Sequence, residues 1–243
     1  MYFIEKGTPT SRSASKAGLE TGAPLGKIKQ KQRNLKMGIS GKLFFTSNPP
    51  GVYEKLQDKS VFIAGAGGLG SNVAIALVRA GIGSMTIVDF DKVEPANLNR
   101  QQYYRDQVKM MKVDALRMNL ARINPDLKIK TICEKISPEN IDDIIPASAG
   151  IIFECFDRAE AKAMFSEFCL KNRKAIPLIT VSGLAGLGSS DEIKIKKAGK
   201  KFWVIGDGKT EMNPENGTVS SRVALVSAIQ AHIGIRILLG LEK

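Results

Sequence analysis

The pattern of apolar and polar residues changes at about residue 50. Residues 1–45 show no sustained apolar periodicity, and the run Asn-Pro-Pro-Gly at positions 48–51 favours a loop at the end of this region. Beyond it, short apolar runs of the buried-strand type alternate with stretches whose apolar residues recur at helical spacing. The pattern predicts a flexible N-terminal segment, residues 1–45, and one folded domain, residues 46–243.

The first part of this domain is predicted to alternate strands and helices. The strands are expected at residues 60–64, 85–88, 128–132, 150–155 and 176–181. The helices between them are expected at residues 71–80, 108–123, 138–145 and 160–172. Such alternation is typical of right-handed βαβ units, so the sequence predicts an α/β, Rossmann-like fold with a mostly parallel sheet and helices on both faces.

The pattern of the last part of the chain is different. Residues 191–196 and 201–205 alternate with period two around Ala198 and Gly199, which predicts an antiparallel hairpin, with Trp203 covering the sheet or the hairpin. An apolar helix is predicted from about residue 219 to residue 239.

The composition is that of a globular protein, but the charge is strongly positive. The chain has 243 residues, of which 43% are hydrophobic and 25% charged, and its formal net charge is +12. Residues 1–40 hold eight Lys or Arg against two Glu, so this segment carries +6, half of the excess. A surplus of this size indicates an anionic partner, which composition alone leaves open as nucleic acid, a phosphate ligand, an acidic protein or a membrane surface.

The rare residues narrow the possible chemistry. The three cysteines, Cys133, Cys155 and Cys169, include no C-x-x-C pair, so we expect structural thiols and neither a disulfide framework nor a cysteine-type zinc site. The single histidine, His232, falls in the predicted final helix and is expected to be packed or partly exposed. No apolar run approaches the roughly 20 residues of a membrane-spanning helix, and the start lacks a secretory h-region, so a cytoplasmic setting is expected.

Residues 65–70, Gly-Ala-Gly-Gly-Leu-Gly, fit the pattern G-x-G-x-x-G between a predicted strand and a predicted helix. Glycines there permit a tight turn and close backbone approach, and the helix N-terminus offers free N–H groups to phosphate. Asp89 ends the next strand about 19 residues later, where its carboxylate can accept hydrogen bonds from ribose hydroxyls. A nucleotide site is predicted; the alternative is a glycine-lined crossing of helix and strand, with Asp89 capping a loop.

The residues after Asp89 argue against a nicotinamide-dependent dehydrogenase. Residues 90–102 contain a dense polar cluster that includes Asp91, Asn97, Arg100 and Gln101. A triphosphate needs such a cluster, because an arginine can neutralise developing charge and amide side chains can orient phosphate oxygens. An arginine such as Arg100, taken by itself, would be interpreted as a solvated surface charge. The interpretation as a triphosphate contact therefore depends on the joint spacing of these polar residues.

These motifs together resemble the family of ThiF, MoeB and HesA proteins, the bacterial relatives of ubiquitin-activating enzymes. The resemblance spans about residues 52–240 and is greatest to the short, zinc-free ThiF type. The residues that carry it are 65–70, 88–91 (Val-Asp-Phe-Asp), 97–101 (Asn-Leu-Asn-Arg-Gln), Lys112, 123–125 (Ile-Asn-Pro), 156–160 (Phe-Asp-Arg-Ala-Glu) and 181–186 (Val-Ser-Gly-Leu-Ala-Gly).

The resemblance implies ATP- and Mg²⁺-dependent adenylation of the C-terminal glycine carboxylate of a ThiS-like sulfur carrier, for thiamine thiazole synthesis. It implies that Asp89 holds the ribose, that Asn97 and Arg100 contact the triphosphate, that Lys112 reaches a phosphate and that Asp157 positions magnesium. Arg100, Lys112 and Asp157 would be the catalytic residues. The implied nucleotide-binding set is Gly65, Gly67, Gly68, Gly70, Asp89, Asp91, Asn97, Arg100, Gln101 and Lys112.

This chemistry suits the residues that the chain has. A C-terminal carboxylate is already ionised at neutral pH, so its attack on the α-phosphorus needs no general base. Positioning and charge neutralisation by arginine, lysine and a metal ion are sufficient. Asp157 could also cap the helix predicted near residue 160, a role that is compatible with metal binding.

The chain departs from the family in three respects. It lacks the paired C-x-x-C zinc motifs, it has no cysteine in the crossover segment 182–190, and residues 46–49 hold no arginine to donate across a homodimer; Arg33 is a distant candidate. A homodimer is still expected, without zinc and without a nucleic-acid or membrane partner. The alternatives left open are the same chemistry on a MoaD-like carrier, a tRNA-modifying dehydratase, and a non-catalytic scaffold.

Overall fold

The computed structural model describes residues 41–211, 213 and 215–242. The predicted N-terminal segment therefore lies outside the described residues as far as position 40, and this part includes Arg33. Its last five residues, Gly41–Phe45, form a 3₁₀ helix, and the buried Phe45 ring stacks on Tyr53 with 4.6 Å between ring centroids. Ordered structure is thus present on the N-terminal side of residue 46, within the described residues 41–45.

Seven strands and six α-helices occur in the described part of the chain. The strands are β1 Ser60–Ala64, β2 Ser84–Val88, β3 Lys128–Ile132, β4 Ile151–Glu154, β5 Leu178–Val181, β6 Lys194–Ala198 and β7 Phe202–Gly206. The α-helices are α1 Val52–Leu56, α2 Gly68–Ala80, α3 Lys112–Ile123, α4 Ile141–Ile144, α5 Ala159–Asn172 and α6 Ser220–Leu238.

All seven strands belong to one sheet, in the order β3-β2-β1-β4-β5-β7-β6. Every neighbouring pair is parallel except β6 and β7, which are antiparallel. The predicted Rossmann-like sheet with its hairpin is therefore confirmed. The hairpin extends the main sheet, because β7 pairs in parallel with β5. The strand order reverses between β1 and β4, which is where open α/β sheets bind ligands.

Helices cover both faces of the sheet, as predicted. Neighbouring residues Phe62 and Ile63 of β1 point to opposite faces and enter two separate cores. On one face α2, α3 and α6 bury residues such as Leu77, Leu116 and Val226. On the other face, α4 and α5 pack against the sheet around residues such as Phe165.

Several of the predicted helices begin at other residues in the structure, and the helix predicted at residues 138–145 is the single turn Ile141–Ile144. Helix α2 begins at Gly68 and not at residue 71, so the second half of the glycine motif is its first turn. The helix predicted from residue 108 begins only at Lys112, because Lys109 has a φ of 75° and cannot continue a right-handed helix. The residues just before it form a separate 3₁₀ turn, Arg105–Gln107.

Helix α6 is long and apolar enough to cross a membrane by length and composition alone. It packs against α2 and against the sheet, and it buries Val223, Val226, Ala231 and Ile233. Its apolar character is therefore that of a core helix. His232 lies on its exposed side.

The three cysteines and the single tryptophan differ in how far they are buried. All three thiols are free: Cys155 and Cys169 are buried, whereas Cys133 is exposed just after β3. Trp203 lies in β7, one of the two hairpin strands, and is buried, with the Lys197 ammonium 4.9 Å from its ring centroid. This agrees with the prediction that Trp203 covers the sheet or the hairpin.

We expect Gly234→Ala in α6 to lower the free energy of unfolding. A β-carbon at Gly234 would lie 2.4 Å from Cζ of the buried Phe153 ring, and overpacking of this kind costs about 1–3 kcal/mol. Alanine's better helix propensity offsets only about 1 kcal/mol of this cost. Urea denaturation measures the change. Ala228→Gly at an exposed position of the same helix is the control for propensity, and a Gly234→Ala variant more stable than wild type would contradict the packing described here.

Candidate functional site

The glycine turn lies between β1 and α2, at the edge where the carboxyl ends of the parallel strands meet. Gly65 has a φ of 99°, and a β-carbon there would lie 2.9 Å from the Cys155 carbonyl oxygen after β4. A β-carbon on Gly70 would lie 1.8 Å from the Gly65 carbonyl oxygen. These two glycines are thus required by close backbone packing within the turn and against β4.

Gly67 differs from the other glycines of the turn because the space beside it is open. The nearest atom to a β-carbon there would be Gln101 Nε2, at 3.9 Å. The N–H groups of the first turn of α2, from Gly68 onward, have no partner within the helix and carry the positive end of its dipole. The turn therefore has both the open backbone and the free donors that phosphate binding needs.

Asp89 fixes the glycine turn from the neighbouring strand. Its carboxylate accepts hydrogen bonds from the backbone N–H of Ala66 at 2.7 Å and of Asp91 at 2.8 Å. The buried Tyr103 hydroxyl donates to the Ala66 carbonyl at 2.6 Å. Burial raises the pKa of Asp89 above the ordinary aspartate value, and the Lys112 ammonium and these amide bonds partly oppose that rise. Asp89 thus lies beside the turn, as a ribose-binding acid must.

Lys112 and Asp91 form an ion pair at the start of α3. The two groups are 2.7 Å apart, and the Lys112 side chain is only 8% exposed whereas that of Asp91 is 49% exposed. Lys112 is therefore not a solvated surface charge. In this structure its ammonium group pairs with Asp91 at the edge of the sheet where the phosphates are predicted to bind.

Arg100 lies over the first turn of α2. A β-carbon on Gly68 would be 3.8 Å from Arg100 Cγ and 3.9 Å from its Nε. One terminal nitrogen of the guanidinium donates to the Ala96 carbonyl at 3.0 Å and to Asn99 Oδ1 at 2.8 Å. The structure thus brings Arg100 to the predicted phosphate-binding turn.

The two amides of the predicted set have different surroundings. Asn97 Oδ1 accepts the backbone N–H of Glu94 at 3.0 Å, so this side chain stabilises its own loop. Gln101 is buried, and its Oε1 has no hydrogen-bond partner within the described part of the chain. Since Gln101 Nε2 is also the nearest group to the open side of Gly67, its unsatisfied amide marks a place where a ligand can bind.

Asp157 is exposed in the loop between β4 and α5, at the same edge of the sheet. It does not cap α5, whose N-cap residue is Arg158. Magnesium in nucleotide sites is held by one or two carboxylates together with phosphate oxygens and water. Asp157 is an exposed carboxylate at this edge, as such a site needs, and no group of three potential metal-ligating side chains occurs among the described residues.

Sequence reasoning missed a buried carboxylate beneath this loop. Glu154, at the end of β4, is fully buried and lies 3.0 Å from Lys162 Nζ of α5. It accepts hydrogen bonds from the Phe156 backbone N–H at 2.7 Å and from the Thr180 hydroxyl of β5. The carboxylate thereby ties two strands, α5 and the loop that carries Asp157 together.

A second buried ion pair holds the crossover segment 182–190. Asp207, just after β7, lies 2.8 Å from the Arg222 guanidinium at the start of α6, and the two side chains are 0% and 4% exposed. Arg222 also donates to the carbonyls of Gly188 and Ser189, while the Thr210 hydroxyl accepts the N–H of Ala185.

The pKa of Asp207 reflects this network. Burial alone would raise the pKa, but hydrogen bonds from Thr210, from the Lys209 N–H and from Arg222 outweigh it and hold it far below the ordinary aspartate value. The sequence signal for Asp207 and for Glu154 was the same: an acid that ends an otherwise apolar strand.

The fold and this edge define a nucleotide-binding domain of the Rossmann-like class. The chain belongs to the ThiF family, whose sequence profile matches residues 39–243. The family resemblance drawn from the motifs is therefore confirmed.

Individual relatives match about half of the chain. The tRNA threonylcarbamoyladenosine dehydratase of Escherichia coli K12 is 30% identical over 144 residues, 59% of this chain and 53% of that protein. The molybdopterin-synthase adenylyltransferase of Haemophilus influenzae is 37% identical over 128 residues, 52% of this chain and 51% of that protein. The chain thus spans about half the length of these curated relatives.

Solved structures share the fold over more of the chain. Escherichia coli tRNA N6-threonylcarbamoyladenosine dehydratase in complex with ATP has a TM-score of 0.73 and 21% identity, covering 82% of this chain and 93% of that chain. Escherichia coli MccB with ATP has a TM-score of 0.63 and 20% identity, covering 91% and 73%. At these identities the likeness shows the fold alone.

We expect Asp207→Asn to lower the free energy of unfolding by about 3 kcal/mol, because it removes the nearer acidic partner of the buried Arg222 and leaves only Glu192, at 4.0 Å. Since the pKa of Asp207 is lowered by folding, this stabilisation is present above the unfolded-state pKa of about 3.9 and is lost as the pH falls through the folded-state value. Urea denaturation at pH 7 measures it. Asp114→Asn, which breaks an exposed pair with Arg117, should cost less than about 1 kcal/mol, and an equally small loss for Asp207→Asn would contradict the buried pair.

Proposed function

We propose that this protein is a nucleotidyltransferase that adenylates the C-terminal glycine carboxylate of a ThiS-like sulfur carrier, using ATP, for thiamine thiazole synthesis. The observation that carries the proposal is the meeting of the open glycine turn, Asp89, Arg100 and Asp157 at one edge of the sheet, in a chain of the ThiF family. That edge includes the point where the strand order reverses.

The geometry supports a direct displacement at the α-phosphorus. A carrier carboxylate oxygen forms a bond to that phosphorus, the bond to the bridging oxygen of the β-phosphate breaks, and pyrophosphate leaves. Arg100 over the first turn of α2 and the free N–H groups of that turn would stabilise the charge on the phosphate oxygens. Asp89, already aligned by two backbone amides, would accept the ribose hydroxyls.

Lys112 has a further role in this proposal, besides the contact with a phosphate that the sequence predicts. Its ammonium group keeps Asp91 neutralised, so this second acid beside Asp89 does not repel the triphosphate. Asp157 would hold Mg²⁺ that is bound by the nucleotide. When present, this ion supplies charge neutralisation at the phosphates.

Neither the crossover segment nor the two buried thiols offers a cysteine to which the carrier could be transferred; Cys133, just after β3, is the one exposed thiol in the described part of the chain. The crossover segment 182–190 has no cysteine. Burial raises the pKa of the Cys155 thiol far above its usual range and that of Cys169 to about 12, so neither forms the thiolate that such a transfer needs at neutral pH.

We further propose that the protein acts in the cytoplasm and as a homodimer.

A second candidate is the adenylation of a carboxylate on tRNA. The Escherichia coli relative is named a tRNA threonylcarbamoyladenosine dehydratase, and its structure with ATP is covered over 93% of its length. The two candidates share the nucleotide edge and differ in the molecule that brings the carboxylate.

Carrier-dependent exchange between ATP and labelled pyrophosphate tests the proposal. We expect exchange only when a ThiS-like carrier that ends in Gly-Gly is added with Mg²⁺, and none with a carrier that lacks its last glycine. Exchange that requires tRNA in place of a carrier would support the second candidate. No exchange with ThiS-like or MoaD-like carriers would contradict the leading proposal.

We expect Arg100→Ala to lower the rate of exchange by at least about a hundredfold, since it removes charge stabilisation at the phosphates. Asp157→Ala should have a loss of similar size that excess Mg²⁺ does not fully restore. Arg117→Ala is the matched control, because Arg117 is an exposed arginine of α3 whose side chain contacts only the exposed Asp114 in the described structure. Circular dichroism verifies folding, and exchange at the wild-type rate in either site variant would show that the assignment of that residue is wrong.

A further inference from the structure

A chain of amide side chains joins the segment that carries Arg100 to the two helices beside it. Asn72, one turn into α2, is the inner end of this chain. Its Nδ2 donates to the Gly68 carbonyl at 2.7 Å and to the Arg100 carbonyl at 3.0 Å. One amide group thus ties the backbone of Arg100 to the first turn of the helix that would receive phosphate.

The orientation of the Asn72 amide is fixed by its other neighbour. Asn72 Oδ1 accepts a hydrogen bond from Gln102 Nε2 at 2.7 Å. Because the oxygen faces a donor, the NH₂ group must face the two carbonyls. Aspartate would place an acceptor against those carbonyls, and serine has only one donor, so the position requires an amide.

The outer end of the chain is anchored on α3. The Gln102 carbonyl accepts from Asn119 Nδ2 at 2.8 Å, and Asn119 and Gln107 exchange two hydrogen bonds of 2.8 and 3.0 Å. Asn119 and Gln107 are 6% and 3% exposed, so water does not compete for these bonds. The segment between Arg100 and Gln107 is therefore held at both ends.

This anchoring determines where the Arg100 side chain lies. The guanidinium is bonded only to its own segment, through the Ala96 carbonyl and Asn99 Oδ1, in the described structure. No side chain of α2 holds it over Gly68. Its place above the helix N-terminus thus follows from the position of the Arg100 backbone. Asn72 holds that backbone at the Arg100 carbonyl, and the Ser71 hydroxyl, which accepts the Gln102 N–H at 3.1 Å, holds it two residues further on.

We propose that Asn72 is a positioning residue for Arg100: it holds the arginine over the phosphate-binding turn through the Arg100 carbonyl. The proposal rests on the proposed function in that Arg100 is taken to contact the triphosphate. Asn72 itself does not need to touch the nucleotide. Neither the motif pattern nor the family resemblance singled it out.

A double-mutant cycle on ATP binding tests the proposal. The dissociation constant of a fluorescent ATP analogue is measured with Mg²⁺ for wild type, Asn72→Ala, Arg100→Ala and the double variant. We expect Asn72→Ala to weaken binding about fivefold to tenfold, because the Arg100 carbonyl loses the hydrogen bond that keeps the guanidinium over the turn. Because Asn72 acts through Arg100, the double variant should bind no more weakly than Arg100→Ala.

Hydrogen exchange of the nucleotide-free protein gives a readout that does not depend on binding. Asn72→Ala should speed exchange of backbone amides in residues 98–104 and leave the rest of the sheet unchanged. Asn172→Ala is the matched control, because Asn172 Nδ2 donates to the carbonyl four residues before it in α5, as Asn72 does in α2, but the described structure shows no bond from it to a second segment. This control should change neither ATP affinity nor exchange in residues 98–104.

Three results would overturn the proposal. They are wild-type ATP affinity in folded Asn72→Ala, effects of Asn72→Ala and Arg100→Ala that simply multiply in the double variant, and unchanged exchange in residues 98–104. A wild-type protein that binds ATP but shows no carrier-dependent exchange with pyrophosphate contradicts the proposed function, and the cycle still decides the role of Asn72. A wild-type protein that binds no ATP contradicts both.

Discussion

The Gly65 carbonyl oxygen and the α-carbon of Gly70 are so close that a β-carbon on Gly70 would lie 1.8 Å from that oxygen. The rest of the site depends on this contact, because it makes the turn between β1 and α2 tight enough to aim the N-terminus of α2 along the edge of the sheet. Bonds from Asp89 and Tyr103 to the two polar backbone groups of Ala66 then hold the turn in place. The open space beside Gly67 is what this arrangement leaves for a ligand.

The acidic residues along this edge differ in pKa and in exposure because their surroundings differ. Burial raises the pKa of Asp89, whereas hydrogen bonds from Thr210, the Lys209 N–H and the Arg222 guanidinium lower that of Asp207. Asp157 stays exposed, on a loop fixed from below by the buried Glu154. The buried ion pairs thus fix loops, and the less enclosed acids remain available to a nucleotide and its metal ion.

Much of the fold could be predicted because apolar periodicity and glycine placement are local signals. They gave the parallel sheet, the hairpin and the edge where Asp89 and Arg100 meet. The start of α3 could not be predicted, since it depends on the left-handed φ of Lys109. The pairing of Lys112 with Asp91, and the chain from Asn72 to α3, could not be predicted either, because their hydrogen bonds join residues 17 to 30 positions apart and depend on side-chain geometry.

The central claim is that ATP phosphates bind against the open backbone at Gly67. Titration calorimetry of ATP with wild type and Gly67→Ala tests it most directly, because the added methyl group has room in the free protein but would occupy the space of the phosphates. The account predicts a thermal unfolding midpoint close to that of wild type, together with at least about a tenfold loss of ATP affinity. Wild-type affinity in this variant would contradict it.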